Sequence, residues 1–240
     1  MIVLNYHRLC TGAPDDSWSL SCEQFDVHTS VFQPELISPE TFLARCHEPA
    51  FARTRQVLLT FDDACESDYS YAFPRLAGTA GPGFMSFIVT DFVGQPGRLD
   101  WAMIEEMHRH GVVIGSHGLQ HRDLTRLSPD ALDQEIQRSK AILEERLSHS
   151  VTQFAFPYGL FNRRVWEAAL RAGYTHLFTI QLGHHAGFEP FLFSRLCMTN
   201  SMDVGHLRRH LQDPCRDRGL AWRISSSLGL YRPAMRLRYR

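Results

Sequence analysis

Lysine is almost missing from this chain of 240 residues: of its 25 basic side chains, Lys140 alone is a lysine and the rest are arginines, a bias of composition rather than function. A basic surplus is missing too. The formal net charge is −1, which excludes the electrostatic grip needed for nonspecific nucleic-acid binding. No run of eighteen apolar residues occurs, so no membrane-spanning helix is expected. The opening "MIVLNYHRLC" lacks the charged start and long apolar stretch of a secretory signal. Cys10, Cys22, Cys46, Cys65, Cys197 and Cys215 form no C-x-x-C pair and suit buried thiols in a reducing compartment. A cytoplasmic protein is the expectation. From Arg208 to Arg240 the chain is rich in arginine and poor in acids. Residues 213–240 therefore read as a basic C-terminal extension, either solvated or in peripheral contact with an anionic membrane or a phosphate-bearing substrate.

What is present is a large core with a repeating order. Apolar residues make up 44% and charged ones 21%, which suits a folded globular chain. Near-continuous apolar runs occupy 2–6, 56–61, 84–90, 112–115, 152–156, 175–180 and 191–197. Such runs suit strands covered on both faces. Helical patterns lie between them. Ser38-Pro39 and Ser128-Pro129 are N-caps followed by Pro, the second opening a helix to about Leu147. "WAMIEEMHRHG" ends at Gly111, and "RRVWEAALRAG" is capped by Asn162 and stops at Gly173. Strands alternating with helices predict a mainly parallel sheet in a barrel-like α/β domain, complete or incomplete. Residues 10–37 show weak periodicity and are expected to form a long loop.

In parallel α/β folds the reactive groups gather where strands end. His7 follows the first run, Asp62 and Asp63 the second, Ser116, His117 and His121 the fourth, Pro157-Tyr158-Gly159 the fifth, and Arg195 stands within the last. Two adjacent carboxylates at a buried strand end repel each other. A divalent cation resolves the conflict by coordinating one of them, with the two His of "SHGLQH" as further ligands and a position left open. The other carboxylate is then free to act as a general base toward a water of lowered pKa. The plainer alternatives are a helix N-cap for the Asp pair and solvated histidines for the His pair. His184-His185 sits in a Gly-flanked loop and reads as solvated, Cys65 as a packing thiol, and Trp101, Trp166 and Phe92 as helix packing or sugar-stacking residues.

"LLTFDDA", "IGSHGLQHRDLT" and "FAFPYG", in this order, resemble the three main motifs of the polysaccharide deacetylase family, the NodB-homology or carbohydrate esterase 4 group. The likeness covers about residues 2–200. It implies a distorted (β/α)7 barrel in a single catalytic domain, placed here at 1–212, that hydrolyses an N-acetyl or O-acetyl group on a sugar. It further implies Asp62 as base, with Asp63, His117 and His121 as ligands of a divalent metal. His₂Asp suits zinc and admits cobalt or nickel. The Tyr158 N–H would be the oxyanion donor, and Pro157 and Tyr158 would line the substrate site. There are departures. Ala64 stands where the family usually has Gly. Phe154-Ala155-Phe156 lacks the family's Arg, a role Arg195 could fill from the last strand. No C-terminal L-x-H motif is present, and His206 with His210 looks like a polar helix face. "VLNYHRL" resembles the branch with an N-terminal YH motif, which makes His7 the candidate acid. An acetylated sugar or glycan is the expected partner. A hydrolase of another linear amide and a non-catalytic carbohydrate-binding descendant are the rivals.

Overall fold

The computed structural model describes residues 1–77, 81–181, 191–205 and 207–208. The extension at 213–240, the His184-His185 pair, Cys215, His206 and His210 lie outside the described residues. Strands β1 (Ile2–Tyr6), β2 (Leu9–Cys10), β3 (Leu20–Ser21), β4 (Val57–Asp62), β5 (Met85–Ile88), β6 (Val113–Ser116), β7 (Gln153–Ala155), β8 (His176–Thr179), β9 (Leu192–Ser194) and β10 (Leu196–Cys197) follow in chain order. Helices α1 (Cys22–Phe32), α2 (Pro39–Arg45), α3 (Phe73–Leu76), α4 (Trp101–Arg109), α5 (Pro129–Asp133), α6 (Ser139–Leu147) and α7 (Arg163–Arg171) are interleaved with them. Among the described residues, no helix is long and apolar enough to cross a membrane.

Eight strands form one sheet in the order β10-β1-β4-β5-β6-β7-β8-β9, every neighbouring pair parallel. Seven apolar runs yield eight strands because the last run breaks at Arg195. Its first half, β9, pairs with β8 (Phe178 with Phe193), and its second half, β10, pairs with β1 (Leu4 with Leu196). One interrupted run thus meets both edges of the sheet and forms a nearly closed (β/α) barrel.

Alternation along the strands sorts two cores. Inward residues Val3, Leu58, Met85, Phe87, Ala155 and Phe178 pack together, joined by Phe42, Cys46 and Phe51 from α2 and the turn after it. These last residues plug the end where the strands begin. Outward residues Leu4, Tyr6, Val57, Leu59 and Phe61 pack instead with helix-borne Phe25, Phe32, Ile104, Met107 and Val165. Apolar residues on both faces of each strand explain why the runs read as continuous. Further along the inner face, toward the strands' C-terminal ends, the residues turn polar: Asn5, Thr60 and Asp62 are all buried.

The N-caps predicted at Ser38, Ser128 and Asn162 are present, and Asp100 adds one that the sequence reading did not name. Ser38, Ser128, Asp100 and Asn162 accept from the third backbone N–H of their helices. The long loop expected over 10–37 is corrected, because 22–32 form α1. Its start is a capping box in which Ser21 and Gln24 satisfy each other's backbone N–H. Cys22, Phe25, His28 and Phe32 are its buried residues, and the polar His28 in that stripe weakens the periodicity. The single helix expected from Pro129 to Leu147 has a π-helical turn at Gln134–Arg138. That turn carries Glu135 and precedes Ser139, and both are buried.

Candidate active site and metal centre

The β4 ladder places Asp62 at the C-terminal mouth of the barrel, 2% exposed. Arg195, wholly buried at the break between β9 and β10, reaches it with a fork: Nη1 donates to Oδ1 at 2.7 Å and Nη2 to Oδ2 at 2.8 Å. Nη1 is also 3.1 Å from Asn5 Oδ1, and Asn5 Nδ2 donates to Asp62 Oδ2 at 3.1 Å. Burial pushes the Asp62 carboxyl up, but Arg195 and then His117 outweigh it and hold the group well below the ordinary carboxylate range. Two parallel N–H···O⁻ bonds in a site closed to water also fix its orientation. Arg195 thus occupies the place expected of it: it pairs with the carboxylate assigned as base.

Asp63 turns the other way. Its φ is 75°, and Ala64 follows at 53°. The Gly-to-Ala departure is therefore not neutral for the backbone, since Ala64 adopts the left-handed conformation that glycine takes without cost. Arg98 Nη1 donates to the Asp63 carbonyl at 2.8 Å and steadies the turn. Asp63 Oδ1 is buried without a hydrogen-bond partner, 3.4 Å from His121 Nε2 and 3.7 Å from His117 Nε2.

The two histidines come from the loop after β6. His117 Nδ1 lies 2.7 Å from the Ala155 carbonyl, which accepts only an N–H, so Nδ1 carries a proton and the ring is oriented with Nε2 toward Asp63. His121 has φ 56° and lies T-shaped against His117, centroids 4.9 Å apart. Burial, and next the neighbouring His117, lower the His121 pKa to about 4, which leaves a neutral imidazole at physiological pH. Glu135 holds the loop between them: its Oε2 accepts from Leu119 N and Gln120 N, both at 3.0 Å. An imidazole nitrogen from each His and one Asp63 oxygen all lie within 4.8 Å of one another. The donor set fits a divalent cation: two imidazole nitrogens, a second-shell bond orienting one ring, and an orphaned carboxylate oxygen between them.

The rim is aromatic. Tyr158, 54% exposed, sits in a single 3₁₀ turn (Pro157–Gly159) at φ 58°, its ring 4.4 Å from that of His121. In the first turn of such an element its N–H has no helical acceptor. Phe92 lies 6.2 Å from His121 on another side. His7, just past β1, packs 5.0 Å from Trp18, and its Nδ1 is buried without a partner. Burial lowers its pKa, opposed by the charges of Asp63 and Asp62. Five described non-glycine residues have positive φ, and Asp63, Ala64, His121 and Tyr158 are four of them. Strain concentrated this way is a mark of a functional site.

The structure therefore brings together Asp62, Asp63, His117, His121, Pro157, Tyr158 and Arg195, and sets His7 in the field of both aspartates. Asn5, Arg98 and Glu135 are additional. Their sequence signals are faint: a polar residue inside an apolar run, an isolated Arg, and an acid that looks like any other helix-face carboxylate.

A buried carboxylate beside a cation cradle at the C-terminal mouth of a parallel barrel is an arrangement that suits a hydrolase. The polysaccharide deacetylase family profile matches residues 52–177, and the chain belongs to that family. It is 25% identical over 175 residues to YxkH of Bacillus subtilis (strain 168), a polysaccharide deacetylase by name, covering 72% of this chain and 61% of that one. The chain thus spans less than two thirds of that relative's length. Solved structures share the fold. The Streptococcus pyogenes deacetylase PplD, in complex with acetate, superposes with a TM-score of 0.76 at 23% identity, covering 88% of this chain and 97% of that one. BC0361, a polysaccharide deacetylase from Bacillus cereus, gives 0.75 at 20% identity over 88% and 68% of the two chains. IcaB from Ammonifex degensii gives 0.71 at 22% over 88% and 96%.

Proposed function

We propose that this chain is a metal-dependent deacetylase that hydrolyses an acetyl group, N-acetyl in preference to O-acetyl, on a sugar of a polysaccharide or glycan precursor. The observation that carries the proposal is the pairing of two unlike carboxylates: Asp62 locked ionised by Arg195, and Asp63 left with a bare oxygen facing the two imidazoles of His117 and His121. Asp63, His117 and His121 would hold the ion, a zinc-class cation, which supplies a polarised acyl oxygen and a water of lowered pKa. Asp62 accepts the proton of the attacking water. Its paired state makes it a weak base but one that is ionised throughout the neutral range. The Tyr158 N–H donates to the oxyanion that forms, a contribution of about 10²–10³ in rate for such donors. His7, set in the field of both aspartates, which favours its protonated form, protonates the sugar nitrogen as the C–N bond breaks, and the proton left on Asp62 restores it. The products are acetate and a free amine. Placement of the acid on His7 rests on the resemblance of "VLNYHRL" to the branch with an N-terminal YH motif. Trp18, Phe92 and Tyr158 offer faces on which a pyranose ring stacks.

The test is acetate release from N-acetylated amino-sugar oligomers, with metal content measured beside it. Asp62→Asn should lose at least about 10²-fold in kcat while keeping its metal. His117→Ala should lose one metal equivalent along with activity. Full activity in Asp62→Asn would remove Asp62 as the base. Acetate from non-sugar amides alone would move the chain to the linear-amide reading, and sugar binding without turnover to the binding-protein reading.

A further inference from the structure

We propose a second transition-metal site at the opposite end of the barrel, formed by Cys46, His47 and His176 and suited to a zinc-class ion. The Cys46 sulfur and one ring nitrogen from each His lie within 4.8 Å of one another. Cys46 is the C-cap of α2, and His176 opens β8, so the ligands come from the plug and from the adjoining sheet. The far end of β8 is Thr179, whose hydroxyl donates to the Gly159 carbonyl beside Tyr158. The strand between them, β8, by itself spans about 10 Å from His176 to Thr179 at 3.3 Å per residue, so the two clusters share no ligand. The site therefore stands or falls independently of the deacetylase chemistry.

The local chemistry is that of a ligand set. Thr175 Oγ1 lies 3.0 Å from His176 Nδ1, while His176 Nε2 is closed from solvent and has no hydrogen-bond partner. Packing alone gives that nitrogen nothing to do. The His47 ring stacks on His176 at 5.6 Å, and Phe193 flanks both rings at 6.0 Å. Phe42 closes another side of His176 at 6.5 Å. An apolar collar around N and S donors strengthens their hold on a cation. Burial pushes the Cys46 thiol up to about 11 and lowers His176 to about 4, so both are neutral before an ion arrives. On binding, the Cys46 proton leaves to solvent, the sulfur coordinates as thiolate, and two imidazole lone pairs complete three bonds. Tetrahedral zinc sets donor atoms roughly 3.3–3.6 Å apart, so the cluster closes by about 1 Å. His47 is exposed, and on its side water takes the fourth position. Thiolate with imidazole selects zinc-class ions over magnesium or calcium. Occupancy would pin the α2 plug to β8.

Cobalt(II) is the probe, because only a thiolate ligand gives the near-ultraviolet sulfur-to-cobalt charge-transfer band, and the His₂Asp centre has none. The intact chain should take up two cobalt equivalents and show the band. His117→Ala should keep the band and lose one equivalent. Cys46→Ser should lose the band and keep the other equivalent. Should Cys46→Ser misfold, exposed His47→Ala serves: it should weaken band-forming cobalt uptake at least tenfold with an unchanged circular dichroism spectrum. A missing band in the intact chain, a band that persists in Cys46→Ser, or one that disappears with His117→Ala each overturns the site.

Discussion

Arg195→Met is the perturbation with the largest expected consequence. Arg195 is fully buried, and its two bonds to Asp62 at 2.7 and 2.8 Å are the main compensation for a carboxylate itself shut from water. Methionine fills part of the volume and leaves the charge facing the 3.1 Å amide of Asn5 and the His117 ring nitrogen at 3.6 Å. Breaking a buried pair by removing one partner costs about 3–5 kcal/mol. The sign of the pH dependence also changes. With Arg195 present, Asp62 sits well below its unfolded value of about 3.9. Its contribution is therefore full above that value and is lost as pH falls through the folded value. Without Arg195, burial dominates and the folded pKa rises above the unfolded one. The ionised group then destabilises at neutral pH, and acidification relieves the loss. Urea unfolding of both proteins at pH 7.5 and 5.5 should show a gap that narrows at the lower pH. The acid limb of kcat/KM for acetate release should move upward in pH. Asp62→Asn combined with Arg195→Met should recover part of the lost stability, since no orphan charge remains, and Arg195→Lys should fall between. A loss below about 1 kcal/mol with an unmoved acid limb would falsify the account of Asp62 as an arginine-locked base, because a pair worth that little cannot hold a buried carboxylate ionised.

Two further perturbations test the scaffold. Gly115→Ala places a methyl 2.5 Å from two ring atoms of Phe87 and 3.2 Å from Gln153 Cβ, and Phe87 is the ring over which the Arg195 guanidinium lies. Overpacking should cost about 1–3 kcal/mol in urea unfolding and lower kcat by disturbing Arg195, whereas unchanged stability would mean the interior is looser than described. Ser148→Gly relieves a left-handed residue (φ 48°) at the exposed end of α6, which should add about 0.5–1 kcal/mol, or roughly 1–4 °C in Tm, with activity unchanged. A lower Tm would show that the Ser148 side chain contributes more there than its backbone conformation costs.

The barrel was legible in the sequence because both faces of each strand are apolar, so every run stood out against amphipathic helices. The carboxylates and histidines were legible because each follows directly on a strand. Even Arg195 could be anticipated, since the third motif lacks its usual arginine and the last strand offers another. What escaped depends on distant packing. Helix α1 was missed because its buried stripe includes His28, although the Ser21–Gln24 box was there to be found. The break that turns the seventh run into β9 and β10 leaves no mark beyond Arg195 itself. The grip of Glu135 on the His117–His121 loop depends on a π turn that aims it inward, which no local spacing announces.

The interrupted last strand has a consequence for assembly. Asn5 and Arg195 touch across 190 residues of sequence, and the same segment closes the barrel and charges the base. Such a contact is among the slowest to form, because nearly the whole chain must be ordered first. On the ribosome, β4 would emerge and pair long before Arg195 exists, with Asp62 buried in the nascent sheet and unmatched. Closure and the pairing of Asp62 then arrive together: a chain without its last strand lacks the Arg195 fork, and the proposed site is complete only when the fold is.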